Sequence, residues 1–180
     1  MEQKLEIEYK TLLSQNHAAT LLAMGTFSFL TKQENIYYDT TDAFFQSLDI
    51  VLRIRKKNSK YLFTAKEKAK EGLKETEFFI DQPSPNHPKI HSYTKQFKEN
   101  LVLQPFGSSI TYRYIYDDEY GQWCLDFNVF EYTSDVELEY ELHQGIANKK
   151  EHYLKQLALW NIPYQPCNSK FSRMLDQKKD

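Results

Sequence analysis

In Glu6-Ile7-Glu8-Tyr9-Lys10, every second residue is charged and the residues between are apolar. As a β-strand, this segment puts Glu6, Glu8 and Lys10 on one face and Leu5, Ile7 and Tyr9 on the other. The pattern returns in Leu52-Arg53-Ile54-Arg55 with two arginines. It returns again in Val136-Glu137-Leu138-Glu139-Tyr140-Glu141-Leu142 with three carboxylates. Same-face neighbours on a strand sit about 7 Å apart, so two like charges repel by about 0.6 kcal/mol in water and about 2.4 kcal/mol at an effective dielectric of ~20. On a wet, open sheet that penalty is small. In a closed site it is costly unless cations meet the carboxylates and anions meet the arginines.

A chain of 180 residues with 41% hydrophobic content fits one domain, residues 1–180, with a sizeable core. Thirteen tyrosines and twelve phenylalanines favour strands, where broad rings fit a pleated surface. The formal net charge of -2 supplies no global positive field, so no nucleic-acid partner is expected. Cys124 and Cys167 belong to no zinc or disulfide pattern. No apolar run has the length of a signal peptide or a membrane span, and the expectation is a cytoplasmic protein without a membrane partner.

The spacing predicts a strand over residues 3–10, then a short helix capped by Ser14 and ending near Gly25. Residues 27–30 and 36–38 read as two short strands around a polar turn, and Asp39-Thr40-Thr41-Asp42 is turn chemistry. A hairpin follows over 50–56 and 60–66, then a strand over 74–80. The proline-rich stretch 82–88 is a connection, followed by a helix over 89–101. Residues 110–118 and 122–132 form a second hairpin, and 135–143 an acidic strand. An amphipathic helix is expected over 145–160, and a last one behind Asn168 or Ser169. Many antiparallel strands with few helices mean an α+β fold.

Each charged face taken alone fits the solvated side of a half-buried antiparallel sheet. Such faces usually mix Thr, Ser, Gln, Lys and Glu, whereas several strands here commit to one sign. Their opposite faces are apolar and must pack on something. A closed barrel with helices outside buries those apolar faces and gathers acids and bases within. Gathered carboxylates suit a hard cation such as Mg²⁺ or Mn²⁺, and arginines suit phosphate oxygens. None of the five glycines lies in a phosphate-binding loop pattern, so side chains must hold any phosphate. The five histidines are scattered and read as surface or packing residues, and Trp123 and Trp160 as core. The end, Gln177-Lys178-Lys179-Asp180, reads as an ordinary solvated tail.

Glu6-x-Glu8-x-Lys10 resembles the ExExK signature of the CYTH, or triphosphate tunnel metalloenzyme, superfamily. The resemblance continues in order through Tyr37-Tyr38-Asp39-Thr40, Leu52-Arg53-Ile54-Arg55, Thr64-Ala65-Lys66 and Glu75-x-Glu77. Later positions are similar at Arg113, Leu125-Asp126, Glu137-Leu138-Glu139 and Ser169-Lys170-Phe171. Two positions depart from the family pattern: Thr111 precedes Arg113 where a lysine is common, and Leu73 stands where an arginine is common.

The resemblance implies a closed eight-stranded antiparallel tunnel with helices outside, a small-molecule triphosphate substrate and a need for divalent metal. Family members hydrolyse inorganic triphosphate, thiamine triphosphate or RNA 5′-triphosphate, and others cyclise ATP. On that basis Glu6, Glu8, Asp126, Glu137 and Glu139 are the expected metal ligands, for Mg²⁺ or Mn²⁺. Arg53, Arg55, Lys66, Arg113 and Lys170 are the expected phosphate contacts, with Glu75 or Glu77 orienting a cation. Lys10 either contacts phosphate or pairs with the phenol of Tyr37 or Tyr38 as a proton donor, so it joins Glu6 and Glu8 as a catalytic candidate. The expected activity is metal-dependent release of phosphate from a triphosphate. The alternatives are an adenylate cyclase of the tunnel class, a non-catalytic polyphosphate or nucleotide binder, and a structural sheet with a wet charged face.

Overall fold

Alternation governs the backbone. In the computed structural model, which describes residues 1–176, the strands are β1 (Glu2–Glu6), β2 (Glu8–Leu13), β3 (Ser28–Asp39), β4 (Ile50–Lys57), β5 (Lys60–Lys68), β6 (Leu73–Ile80), β7 (Gln104–Asp117), β8 (Gly121–Val129) and β9 (Ser134–Leu142). The helices are α1 (Gln15–Ala23), α2 (Phe44–Ser47), α3 (Pro88–Thr94), α4 (Lys150–Leu159) and α5 (Lys170–Asp176). The strands form one sheet in the order β1-β6-β5-β4-β3-β7-β8-β9-β2. The ladders β2–β9, β3–β4, β4–β5, β5–β6, β7–β8 and β8–β9 are antiparallel. The tail from Gln177 lies outside the described residues.

The expected eight strands are nine, because the single N-terminal strand is divided at Ile7. Its first half neighbours β6 and its second half pairs with β9. The carbonyl of Ile7 accepts the Leu142 N–H at 2.9 Å, so the break itself is held. The strand order begins on β1 and ends on β2, so the ends are joined by the chain through Ile7 rather than by the ladder closure expected of a barrel.

The chain divides into two compact units. Unit 1 comprises Met1–Leu5 and Gln33–Ser109, and unit 2 comprises Glu6–Lys32 and Ile110–Asp180. Each has its own apolar core. In unit 1, Leu52 and Ile54 of β4 pack with Phe63, Phe78, Phe45, Ile90 and Tyr93. In unit 2, Trp123, Leu125, Leu138 and Tyr140 pack with Leu21, Tyr153 and Leu157 from the helices. Trp123 stacks on Tyr140 with centroids 4.1 Å apart, and Trp160 meets it edge-on at 4.9 Å. Each such fully buried large side chain contributes about 1.5–3 kcal/mol. Trp123 therefore belongs to the core, as its size suggested, while Trp160 is half-buried against it.

Local signals explain most boundaries. Ser14 caps α1 by accepting the His17 N–H at 3.2 Å, and the chain turns away at Gly25 with φ +73°. Asp39 accepts the N–H groups of Phe45 and Gln46, each at 2.9 Å, so the Asp39–Asp42 turn anchors α2. Asn58, at φ 56°, makes the β4–β5 turn. Gly121 is required by close approach, since a Cβ there would lie 2.5 Å from the Glu141 carbonyl oxygen.

Three expectations fail. The short strands 27–30 and 36–38 are one twelve-residue strand, because Thr31, Gln33 and Asn35 alternate buried with their neighbours instead of forming a turn. The helix expected over 89–101 stops at Thr94. Beyond it Leu101 and Leu103 reach the core by alternation, after Asn100 adopts φ 58°. The helix expected over 145–160 starts only at Lys150, since Gly145 and Asn148 take positive φ in what would be its first turn.

Candidate functional site

The charged faces are buried on both units, opposite the apolar cores. Arg53 is 9% exposed, Glu75 3%, Arg113 7%, Asp126 0%, Glu137 0% and Glu139 4%. A structural sheet with a wet charged face is thereby excluded for these strands. Charges this deep require partners.

In unit 2 the register builds the cluster. Opposed residues across an antiparallel ladder share a face, so Lys10 meets Glu139, Glu8 meets Glu141, Arg113 meets Asp126 and Asp126 meets Glu137. Arg113 grips Asp126 through two parallel bonds of 2.7 and 2.6 Å, and reaches Glu139 at 2.7 Å and Glu141 at 2.9 Å. Lys170, at the start of α5, sits on three carboxylates at once: Asp126 at 2.8 Å, Glu137 at 2.6 Å and Glu139 at 2.8 Å. The α5 cap places it there, with Ser169 Oγ accepting the Ser172 N–H at 3.1 Å. Lys10 lies 2.6 Å from Glu8 and 3.3 Å from Glu139.

The protonation states follow from these contacts. Burial alone would pull the Lys10 ammonium down, but Glu139 and Glu8 hold it above its usual range. Burial would raise the Glu139 carboxyl, yet Lys170, Lys10 and Arg113 hold it well below the usual range. Asp126 is held low against burial by Arg113 and Lys170. Lys170 is held high against burial by Asp126, Glu137 and Glu139. Lys10, Lys170, Asp126 and Glu139 are therefore charged at neutral pH.

In unit 1 the shared face carries Tyr37, Arg53, Thr64 and Glu77 in one row, and Val51, Lys66 and Glu75 in the next. Arg53 donates to Thr64 at 3.3 Å, and Thr64 to Glu77 at 3.1 Å. Glu75 gathers cations: Lys4 at 2.8 Å, Lys66 at 3.6 Å and Arg53 at 3.9 Å. Burial would raise its carboxyl, but Lys66, Lys4 and Arg53 keep it below its usual value. Arg55 donates to Asn35 at 2.8 Å. Among the described residues, Arg53 Nε is buried with no hydrogen-bond partner, so this guanidinium is only partly satisfied. Tyr38 lies on the core face of unit 1, opposite Leu52, which removes it as a phenol on the charged face.

Every site residue named from the sequence therefore lies on one of two charged faces. Glu6, Glu8, Lys10, Arg113, Asp126, Glu137, Glu139 and Lys170 belong to unit 2, and Arg53, Arg55, Lys66, Glu75 and Glu77 to unit 1. The sequence reasoning missed Lys4, Asp135, Asn128 and Arg173. Lys4 and Asp135 each lie two residues before a recognised acid, on the same strand face. Arg173 lies three residues after Lys170, on the same helix face.

The unit 2 carboxylates fit a hard divalent cation. Asp126, Glu137 and Glu139 each place an oxygen within 4.8 Å of the others, as do Glu6, Glu8 and Glu141. The first trio already holds a cation, the Lys170 ammonium. Among the described residues, seven acids (Glu6, Glu8, Asp126, Asp135, Glu137, Glu139, Glu141) share this face with four bases (Lys10, Arg113, Lys170, Arg173). All-oxygen donor sets of this kind suit Mg²⁺ or Mn²⁺.

The antiparallel sheet with helices, carrying acids and bases in this order, matches the fold expected of CYTH domains apart from its divided first strand. The CYTH domain model matches residues 4–175, and the chain belongs to that family. It is 31% identical over 192 residues to a Bacillus subtilis (strain 168) protein described as "Putative triphosphatase YjbK", covering 99% of this chain and 98% of the relative. The crystal structure of a "putative adenylate cyclase" from Bacillus halodurans superposes with a TM-score of 0.81 at 26% identity, covering 96% of this chain and 98% of the other. HpAC1 from Hippeastrum, described as having a dominant triphosphatase activity, shares the fold with a TM-score of 0.76 at 23% identity, covering 98% of this chain and 96% of the other. No helix of the described residues is long and apolar enough to cross a membrane.

Proposed function

We propose that the chain acts as one triphosphate-tunnel domain that hydrolyses a small triphosphate and releases phosphate, with a divalent metal. The observation that carries this is the buried trio Asp126, Glu137 and Glu139, whose carboxylate oxygens lie within 4.8 Å of one another and suit a divalent metal. In unit 1, the buried Arg53 guanidinium keeps Nε without a hydrogen-bond partner among the described residues, which suits a phosphate oxygen. The similarity to the B. subtilis relative, over nearly the full length of both chains, supports the same activity.

Glu6, Glu8 and Glu139 hold the metal, assisted by Glu137 and Asp126. Bound Mg²⁺ or Mn²⁺ supplies neutralisation of phosphate oxygens and a water of lowered pKa. Arg53, Arg55 and Lys66 of unit 1 bind phosphate oxygens, as do Arg113 and Lys170 of unit 2. Glu75 and Glu77 orient those unit 1 cations, as the short contacts to Lys4 and the approach of Lys66 illustrate. Lys10 is held protonated by Glu8 and Glu139, so it serves as a fixed positive charge or proton donor rather than as a base. Phosphoryl transfer needs chiefly such positioning and charge stabilisation.

The test is phosphate release from inorganic triphosphate, thiamine triphosphate and ATP, with Mg²⁺, Mn²⁺ or excess chelator. Turnover abolished by chelator and restored by either metal is expected. Full turnover in chelator would refute the metal mechanism. The similarity to the B. halodurans protein favours one second reading, cyclisation of ATP. Cyclic AMP as the main product from ATP would establish it.

A further inference from the structure

Arg173 is held by neighbours on an acidic strand and by its own helix cap. Nε donates to Asp135 Oδ2 at 2.7 Å and Nη2 donates to Asp135 Oδ1 at 3.1 Å, while Nη2 also lies 3.0 Å from Glu137 Oε1 as an ion pair. Nη1 donates to Glu137 Oε2 at 3.1 Å and to the Asn168 carbonyl at 2.6 Å. Four of the five N–H donors of this guanidinium are hydrogen-bonded to protein oxygens, and Nη2 is ion-paired with Glu137 as well, which ties the group to the cluster. Lys170, one helical turn earlier, is different in kind. Its ammonium is a point charge on a flexible stem, able to turn from carboxylate to phosphate.

We propose that Arg173 is a positioning residue: it fixes Glu137 and Asp135 so that the acidic cluster keeps its geometry when Lys170 leaves it for a phosphate oxygen. The proposal rests on the triphosphatase reading above. Glu137 has no exposure and its nearest partner is Lys170 at 2.6 Å. Removal of that ammonium would leave a buried carboxylate short of positive charge, which is strongly unfavourable. Arg173 remains as its permanent counterion. Asn128 supports it, donating at 2.9 Å to both Asp135 and Glu137. A lysine at position 173 cannot bridge two carboxylates and a carbonyl from one nitrogen in the fork geometry seen here.

Cys167 provides a reporter that needs neither metal nor substrate. Its Sγ lies 3.7 Å from Arg173 Nη1 and 3.9 Å from Glu137, and it is half-buried, whereas Cys124 is fully buried. The experiment compares Arg173→Gln, Arg173→Lys and Asp135→Asn with wild type in Mg²⁺-dependent phosphate release and in alkylation of metal-free protein by iodoacetamide. Arg173→Gln is expected to lower kcat about 30-fold with KM for inorganic triphosphate within about threefold, the range seen when a ligand's supporting partner is lost. Alkylation of Cys167, corrected for the smaller thiolate fraction left when the guanidinium is removed, should quicken about tenfold as the clamp opens.

Arg173→Lys should recover little of the lost kcat, and Asp135→Asn should move both readouts the same way by less. A KM increase at unchanged kcat would make Arg173 a substrate contact and overturn the proposal. Full recovery by lysine, or unchanged kcat in Arg173→Gln, would overturn it too. If Arg173→Gln fails to fold, Asp135→Asn decides, since it keeps the guanidinium on Glu137. A wild type that releases no phosphate from any triphosphate would sink the parent reading instead. Alkylation alone then judges the clamp, and equal rates in wild type and variants would refute it.

Discussion

The two units use the same device, a strand with charge on one face and core on the other, and leave it in opposite states. In unit 1, Lys4, Arg53 and Lys66 share two acids, Glu75 and Glu77, and Arg53 Nε stays without a hydrogen-bond partner among the described residues. In unit 2 the most buried acids are already closed by Lys170, Arg113 and Arg173. The first face is a loosely satisfied cation surface. The second is a tightly bonded ionic lattice. Burial is costly for a charge in either state, and unit 2 offsets that cost with shorter ion pairs than those around Arg53. The difference also separates function from stability. Removing a loosely held arginine should affect ligand binding most, whereas removing a lattice carboxylate should affect both.

The largest expected effect falls on the lattice. Glu139→Gln should cut metal-dependent phosphate release by about a hundredfold or more, because it removes a carboxylate that meets Lys10, Lys170 and Arg113 together. Denaturant melts should show about 3 kcal/mol of lost stability, the scale for breaking a buried ion pair. Retention of the full rate would show that this carboxylate holds no metal and would erase the contrast. Next comes Arg53→Gln in unit 1. It should raise KM for inorganic triphosphate about tenfold. Stability should fall by about 1 kcal/mol or less, since its bond to Thr64 is 3.3 Å and Glu75 is 3.9 Å away. A loss of stability as large as that of Glu139→Gln would mean the two faces do not differ.

The smallest functional effect is expected away from both faces, at Asp118. Its carboxylate accepts from Tyr140 OH at 2.6 Å, Trp123 Nε1 at 2.9 Å and the Tyr120 N–H at 2.9 Å, with His152 Nε2 at 2.9 Å. Burial would raise this carboxyl, but those bonds, Tyr140 first, lower it to about 2. A carboxyl depressed on folding adds stability above its unfolded pKa near ~3.8 and loses it as pH falls toward the folded value. Asp118→Asn should therefore cost about 1–2 kcal/mol at pH 7. The deficit against wild type should shrink between pH ~4 and ~2, with turnover at pH 7 unchanged. A deficit that stays constant through that interval would mean the carboxylate charge is not what these donors recognise.

Much of the site was legible because strand alternation is a local property. Charged residues at i and i+2 must share a face, so Glu6 with Glu8, Arg53 with Arg55, and Glu137 with Glu139 could be grouped before any fold was known. Residues whose role depends on a distant partner carry no such signature. Arg173 has an ordinary place in a seven-residue helix, and only the docking of α5 on β9 gives it Asp135 and Glu137. Lys4 looked like one more charge before the ExExK segment until its contact with Glu75 appeared. The division of the first strand was equally hidden, because Ile7 continues the alternation without interruption while the hydrogen-bonding neighbour changes from β6 to β9.

By itself the sequence determined which residues share a face, and hence the sign of charge each strand presents opposite its apolar side. That follows from the two-residue period of an extended chain, which no packing arrangement alters. Only the tertiary structure decided which charges meet: Lys170 on three carboxylates, Arg113 across Asp126, Glu139 and Glu141, and Arg53 short of a partner. Those pairings depend on ladder register and on where α5 docks, and register is set by the fit of both faces at once.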